Sequence, residues 1–312
     1  MKKNKLIRLR KKFIIYNIDG YIISKNDEFF GEYVDPSNER LKYLTGFSGS
    51  AGQALVLKNK AFLFVDGRYT LQAQKEIKKG FKMVEIHKTK PLEILKNNKK
   101  KLIIGFDPKL YTQAILTNLF VSKKVKLIPI KTNLIDKIWS NRPKLKLKKF
   151  FILKTQYVGQ SYKHKINLIC NILKKKKLKN LLISAPENVA WLLNIRGKDC
   201  SYSPIPNCNA IINYKKTVTL IVENNKIDKN FKAHFGKNLK YLSPSNIIEY
   251  LDSLNNGENF LIDKTACSLF YKEKIAKKFK YVEKIDPIFF LNIFKFFCYF
   301  FFIKKRTSCF IN

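Results

Sequence analysis

Acidic residues are the first shortage. The chain has 312 residues, with 62 Lys and Arg against 23 Asp and Glu, a formal net charge of +39. So large an excess of one sign raises nucleic acid or a membrane surface as partners. The lysines are spread along the chain rather than gathered on one element, and Lys, Asn, Ile and Phe abound while Gly, Pro and Trp are few. That is how an AT-rich coding sequence looks. The expectation is salt-dependent, non-specific polyanion attraction and no specific nucleic-acid partner.

Histidine is nearly absent: His87, His164 and His234 are all there are. Nowhere do His, Asp and Glu fall together at ligand spacing, so no metal site is expected in this chain. The six cysteines show no CxxC and no regular spacing. That argues against a zinc site or a disulfide framework and for reduced thiols. No long apolar run follows the basic N-terminus MKKNKLIRLRKKF, which reads as an amphipathic helix rather than a signal peptide. The apolar run Phe289–Ile303 is shorter than the about 20 residues a span needs and contains Lys295, so a membrane role is not expected.

The rest alternates helix and strand. Apolar spacing predicts a helix over 5–15 and a strand over 21–24. Pro36 opens a helix through Leu44. Strands 53–57 and 61–65 are joined by the turn Lys58-Asn59-Lys60, and a helix runs from 69 to 78. Further strands are expected over 82–86, 102–106 and 125–128, and 139–149 is a linker. The second half repeats the plan: helix 162–175, strand 181–184, a helix from Pro186 to Leu193, then strands 210–212 and 217–222. Glu39, Tyr43 and Leu44 fall on Glu187, Trp191 and Leu192 at one constant offset. An α/β module in tandem duplicate fits this pattern.

Three stretches carry more. NERLKYLTGFSGSAGQALVLKNKAFLFVDGRYTLQ covers 38–72, LIDKIWSNRP covers 134–143 and ENVAWLLNIRGKDCSYSPIPNCNAII covers 187–212. The loop GFSGSAG over 46–52 lacks both the P-loop ending and the nucleophile-elbow spacing. It reads as a tight loop in which small residues let the backbone approach a neighbour. Asp66-Gly67-Arg68 follows a strand, so Arg68 stands at a carboxyl edge, where α/β sheets present ligand groups. An arginine fork suits a peptide carboxylate or backbone oxygen. The equally simple alternative is that Asp66 and Arg68 fix the corner through local hydrogen bonds.

Together, in this order, the three stretches resemble the N-terminal region of Xaa-Pro aminopeptidases, of the creatinase or pita-bread metallopeptidase group, over roughly residues 5–288. The resemblance implies two tandem α/β domains of creatinase N-terminal type, 1–145 and 146–288. Each would be a mixed sheet of five or six strands flanked by helices. The region 289–312 is a Phe-rich tail that reads as frameshifted or degenerate.

The family removes an N-terminal residue preceding proline, using two divalent metals, usually manganese, held by aspartates, a histidine and glutamates. That ligand set is not expected here, so the chain should lack the catalytic domain, bind no cofactor and be inactive alone. Arg68 would be a substrate-binding residue for short Xaa-Pro peptides if a catalytic domain is supplied. Asp107, and Asp136 with Trp139 and Arg142, match as a strand-end cap and as a wedge between the domains. Arg196-Gly197 with Asp199 matches a loop facing the catalytic domain. The implied assembly is a cytoplasmic homodimer. The alternative is a stand-alone dimerisation or binding module complemented by a separate catalytic chain.

Overall fold

The computed structural model describes residues 4–98, 100–120, 122–145 and 147–291. The expected tail therefore lies, from 292 onward, outside the described residues. The chain forms two compact units, Met1–Lys146 with Ser268–Phe270, and Leu147–Cys267 with Tyr271–Asn312.

The first unit begins with the helix Lys5–Tyr16. Asn4 accepts a hydrogen bond from the Leu6 backbone N–H, and Asn17 ends the helix in the left-handed region. Leu6, Leu9 and Phe13 form its buried stripe. Six strands follow: β1 Gly20–Ser24, β2 Gly52–Leu57, β3 Ala61–Val65, β4 Lys82–Glu85, β5 Leu102–Phe106 and β6 Val125–Pro129. Their order is β4-β3-β2-β1-β5-β6, and only β2 runs antiparallel to its neighbours. β1 and β3 are buried at every residue, as continuous apolar runs require when helices cover both faces of a sheet. Alternation divides the strands between two cores. Tyr21, Ile23, Val56, Leu63 and Val65 pack with Leu9, Phe13, Leu41 and Leu44. Ile22, Leu55, Phe62 and Phe64 pack with Leu95, Leu116 and Phe120 on the other face.

The second unit contributes β7 Phe151–Ile152, β8 Asn180–Ile183, β9 Ile195–Arg196, β10 Asn209–Asn213, β11 Val218–Ile221, β12 Leu239–Leu242, β13 Asn259–Asp263 and β14 Lys280–Lys284. β7 and β9 form a small antiparallel pair. The other six are ordered β12-β11-β10-β8-β13-β14, and only β10 is antiparallel to its neighbours. This is the first unit's topology strand for strand, so the duplication read from the sequence is a duplication of fold. The helix Tyr162–Lys175, capped by Ser161, and the helix Pro186–Leu193 cover one face through Ile166, Ile169, Leu173, Val189 and Leu192.

Two expected helices are shorter and broken. Instead of one helix over 36–44 there is a 3-10 turn, Pro36–Asn38, then a helix Arg40–Thr45, with Glu39 between them at ψ 52. Arg142 donates from Nε to the Ser37 carbonyl at 2.6 Å and from Nη2 to Asn38 at 2.9 Å. It thereby takes the acceptor that a continuous helix would have used. Instead of a helix over 69–78, a 3-10 turn Gly67–Tyr69 leads into Thr70–Glu76, and the Lys78 backbone N–H turns to the Thr45 carbonyl at 2.9 Å.

Candidate functional site

Because β1, β3, β4, β5 and β6 run the same way, their carboxyl ends share one edge of the first sheet. Val65, the end of β3, is in register with Glu85 of β4 and with Gly52 of β2. Three segments therefore meet there: the Gly46–Gly52 loop, the Asp66-Gly67-Arg68 corner and the turn after Glu85.

The glycine loop is tight for the reason its composition suggests. Gly46 has φ +88°, and a Cβ there would stand 2.4 Å from the Glu76 carbonyl oxygen. A Cβ on Gly49 would stand 2.3 Å from the Phe47 ring. Polar groups tie the loop to the helix behind it. Ser48 donates to Glu76 from its backbone N–H at 2.7 Å and from Oγ at 2.8 Å, and Gln72 reaches both. Burial would raise the Glu76 carboxyl, but these bonds outweigh it and hold the group below the usual range. Ser50 Oγ lies 2.7 Å from the Tyr69 hydroxyl, and the Phe47 ring meets the Tyr69 ring edge-on at 5.8 Å.

At the corner, Asp66 Oδ1 accepts from the Arg68 backbone N–H and from Arg68 Nε, each at 3.0 Å. Those bonds lower the Asp66 pKa and raise that of Arg68, to which Glu32 adds a smaller charge contribution. The Arg68 side chain nevertheless remains 75% exposed. His87 stands beside the same corner, its Cε1 3.2 Å from where a Gly67 Cβ would be, and its Nε2 is 3.3 Å from Glu85. The structure thus brings Arg68, Tyr69, Ser50 and His87 to one rim. Sequence reading singled out only Arg68 there. Glu32 comes from an irregular segment with no motif to mark it.

Other residues expected from the resemblance work inside their own unit. Asp107 is buried at the end of β5 and accepts from the Lys109 N–H at 3.0 Å and from Asn133 at 2.9 Å, which makes it a strand-end cap. Asp136 accepts from Arg40 Nε at 2.9 Å and pairs with Arg142 at 2.8 Å, while Trp139 stacks on Tyr43 with centroids 4.5 Å apart. These contacts fasten the segment to the helix Arg40–Thr45 within the first unit. Trp191 is only partly buried and lies under Lys165 Nζ at 4.4 Å. Asp199, expected on a loop facing the catalytic domain, forms a buried ion pair with Lys226 at 2.9 Å. Arg196 reaches back to the Ala190 and Ile195 carbonyls.

Among the described residues, no group of three or more His, Cys, Asp or Glu side chains could hold a metal ion. His164 is exposed on its helix, and His234 packs against Tyr162 and Phe235. The residues described do not fit the two divalent metals that the resemblance implies. Among them, no helix is long and apolar enough to cross a membrane.

Residues 5–138 and 141–295 each match a family model described as Creatinase/Prolidase N-terminal domain. The chain is 30% identical over 275 residues to a probable Xaa-Pro aminopeptidase P of Coprinopsis cinerea, covering 83% of this chain and 43% of that protein. It is 29% identical over 301 residues to Xaa-Pro aminopeptidase 1 of Dictyostelium discoideum, covering 91% and 47%. The crystal structure of an X-prolyl aminopeptidase from Caenorhabditis elegans, described as a cytosolic enzyme with a di-nuclear active site, superposes with a TM-score of 0.82. It is 22% identical, over 91% of this chain and 50% of that one, a likeness of fold. The chain spans about half or less of the length of these relatives.

Proposed function

Because the chain is built from two creatinase/prolidase N-terminal domains and so belongs to that family, we propose that its residues are the non-catalytic, substrate-positioning part of a Xaa-Pro aminopeptidase. On this reading they hydrolyse nothing by themselves. They form the rim over which a short Xaa-Pro peptide reaches a separate metal-dependent catalytic domain, within a cytoplasmic homodimer. The observation that carries the reading is Arg68, a cation anchored by Asp66 on a rigid corner yet 75% exposed at the carboxyl edge of the first sheet. One face of its fork is used in orientation, and the exposed remainder can donate to a peptide carboxylate or carbonyl.

The test uses the chain joined to a catalytic domain of a family relative. Charge-assisted hydrogen bonds contribute about 1.5–3 kcal/mol. Arg68→Ala should therefore lower kcat/KM for short Xaa-Pro peptides roughly 10- to 100-fold. Unchanged kinetics would leave Arg68 a corner-former and remove the positioning role.

A further inference from the structure

The helix Lys5–Tyr16 carries a second apolar stripe. Leu6, Leu9 and Phe13 hold its inner face in the core. Ile7, Ile14 and Ile15 are instead 53%, 83% and 70% exposed. Their spacing, i, i+7 and i+8, places them together on the outward side of the helix. Exposed apolar residues scattered singly are ordinary. Three on one helix are not: among the described residues, no other helix or strand exposes three large apolar side chains.

The same helix, KLIRLRKKFIIY, has five cations and no acidic residue. Lys11 is exposed and lies one turn from each of Ile7, Ile14 and Ile15. Arg8 and Lys12 border the stripe, and Lys137 adds a cation at the helix end by donating to the Tyr16 hydroxyl at 2.6 Å. Arg8, Lys11 and Lys12 form no ion pair among the described residues. Arg10 is used differently: its Nε donates to the Leu57 carbonyl at 2.9 Å and ties the helix to the end of β2.

An aliphatic ridge with a basic border fits an occupant that is both anionic and apolar. Nucleic acid meets only the charge, since phosphates gain nothing from isoleucine. A second copy meets only the ridge. Pairing two stripes would bring Arg8, Lys11 and Lys12 of both copies together, in chains that each carry +39. An anionic lipid surface meets both requirements.

We propose that the outward face of this helix docks the chain on an anionic lipid surface. Ile7, Ile14 and Ile15 enter the headgroup boundary, and Arg8, Lys11 and Lys12 meet the lipid phosphates and carboxylates. At 12 residues the helix is too short to span a bilayer, so it lies along the surface. Its inner face stays in the core, so only a narrow stripe inserts, and attachment is weak, reversible and salt-sensitive. The site uses none of the residues of the Arg68 rim and does not depend on the aminopeptidase reading.

Co-sedimentation of the full chain with phosphatidylcholine vesicles containing about one-third phosphatidylserine tests it. The expected result is half-binding at roughly 0.1–1 mM lipid, and at least about tenfold weaker binding to phosphatidylcholine alone. Ile14→Ala with Ile15→Ala keeps the charge and substitutes a good helix former at exposed positions. It should weaken binding at least about tenfold. Leu71→Ala, at a 73% exposed position of the helix Thr70–Glu76, should leave binding unchanged. If the double variant fails to fold, Ile14→Ala alone should still weaken binding several-fold. Absence of binding by the native chain overturns the proposal. Undiminished binding by the isoleucine variants overturns it too, because net charge would then be the cause. Polyglutamate binding that is lost in those variants while vesicle binding persists would replace the lipid surface with an acidic protein partner.

Discussion

Asp286 should limit the stability of the second unit at neutral and alkaline pH. Its carboxyl is fully buried. Oδ1 accepts from the Ile288 N–H at 2.8 Å and Oδ2 from Asn188 Nδ2 at 3.0 Å, and its own N–H donates to Asp263 Oδ2 at 2.6 Å. Burial pushes its pKa up; the two bonds it accepts lower it, and the Asp263 and Glu187 charges add to the rise, leaving it at about 7. The folded chain therefore holds this proton more tightly than the unfolded chain. Stability is constant while both states are protonated. It falls as pH climbs from about 4 towards 7 and the unfolded state releases its proton first, then levels off above 7. A span of about three pH units at roughly 1.4 kcal/mol each sets a ceiling of about 4 kcal/mol lost at pH 8. The first unit has already solved the same problem with an amide. In a similar turn after β6, Asn133 accepts from the Ile135 N–H and donates to Asp107 without a charge. Asp286→Asn should then stabilise the second unit by about 1–3 kcal/mol at pH 8, allowing for about 1 kcal/mol if the Asn188 bond is lost. Urea unfolding at pH 5 and pH 8, followed by Trp191 fluorescence, measures both quantities. Destabilisation at pH 8, or an unchanged slope between pH 4 and 7, would refute the argument.

Other perturbations have defined signs. Lys226→Met strands Asp199, whose side chain is 5% exposed, and should cost about 3–5 kcal/mol in urea unfolding. Adding Asp199→Leu should recover part of that loss, since the second change removes the stranded charge. Gly46→Ala forces a side chain into φ +88° and against the Glu76 carbonyl, and a loss above about 2 kcal/mol is expected by thermal unfolding.

Periodic elements were legible in the sequence, and so was the repeat. The hairpin over 53–65, the helix 162–175 and the helix from Pro186 to Leu193 stand where their apolar spacing put them, and both sheets have six strands. What escaped is what depends on residues far apart in the chain. Arg142 breaks the expected helix near Glu39 from a distance of about a hundred positions. Asp199 pairs with Lys226, 27 positions further along the chain. Local propensity carries no information about such partners.

The duplication also supplies an internal control for Arg68. Strand registers set Ala54 where Ala210 stands and Leu63 where Leu220 stands, so Asp66-Gly67-Arg68 corresponds to Glu223-Asn224-Asn225. Both corners open the same 3-10 turn, Gly67–Tyr69 and Asn224–Lys226. The second is built without an arginine and without a side-chain cap on its first N–H groups. Its only cation, Lys226, is turned inward to Asp199. The corner therefore does not require Arg68 for its shape. An exposed arginine retained where an asparagine suffices in the sister unit is better explained by something it holds than by something it folds. If that is right, Arg68→Asn should leave the melting temperature of the first unit unchanged while removing the positioning effect proposed for the peptide.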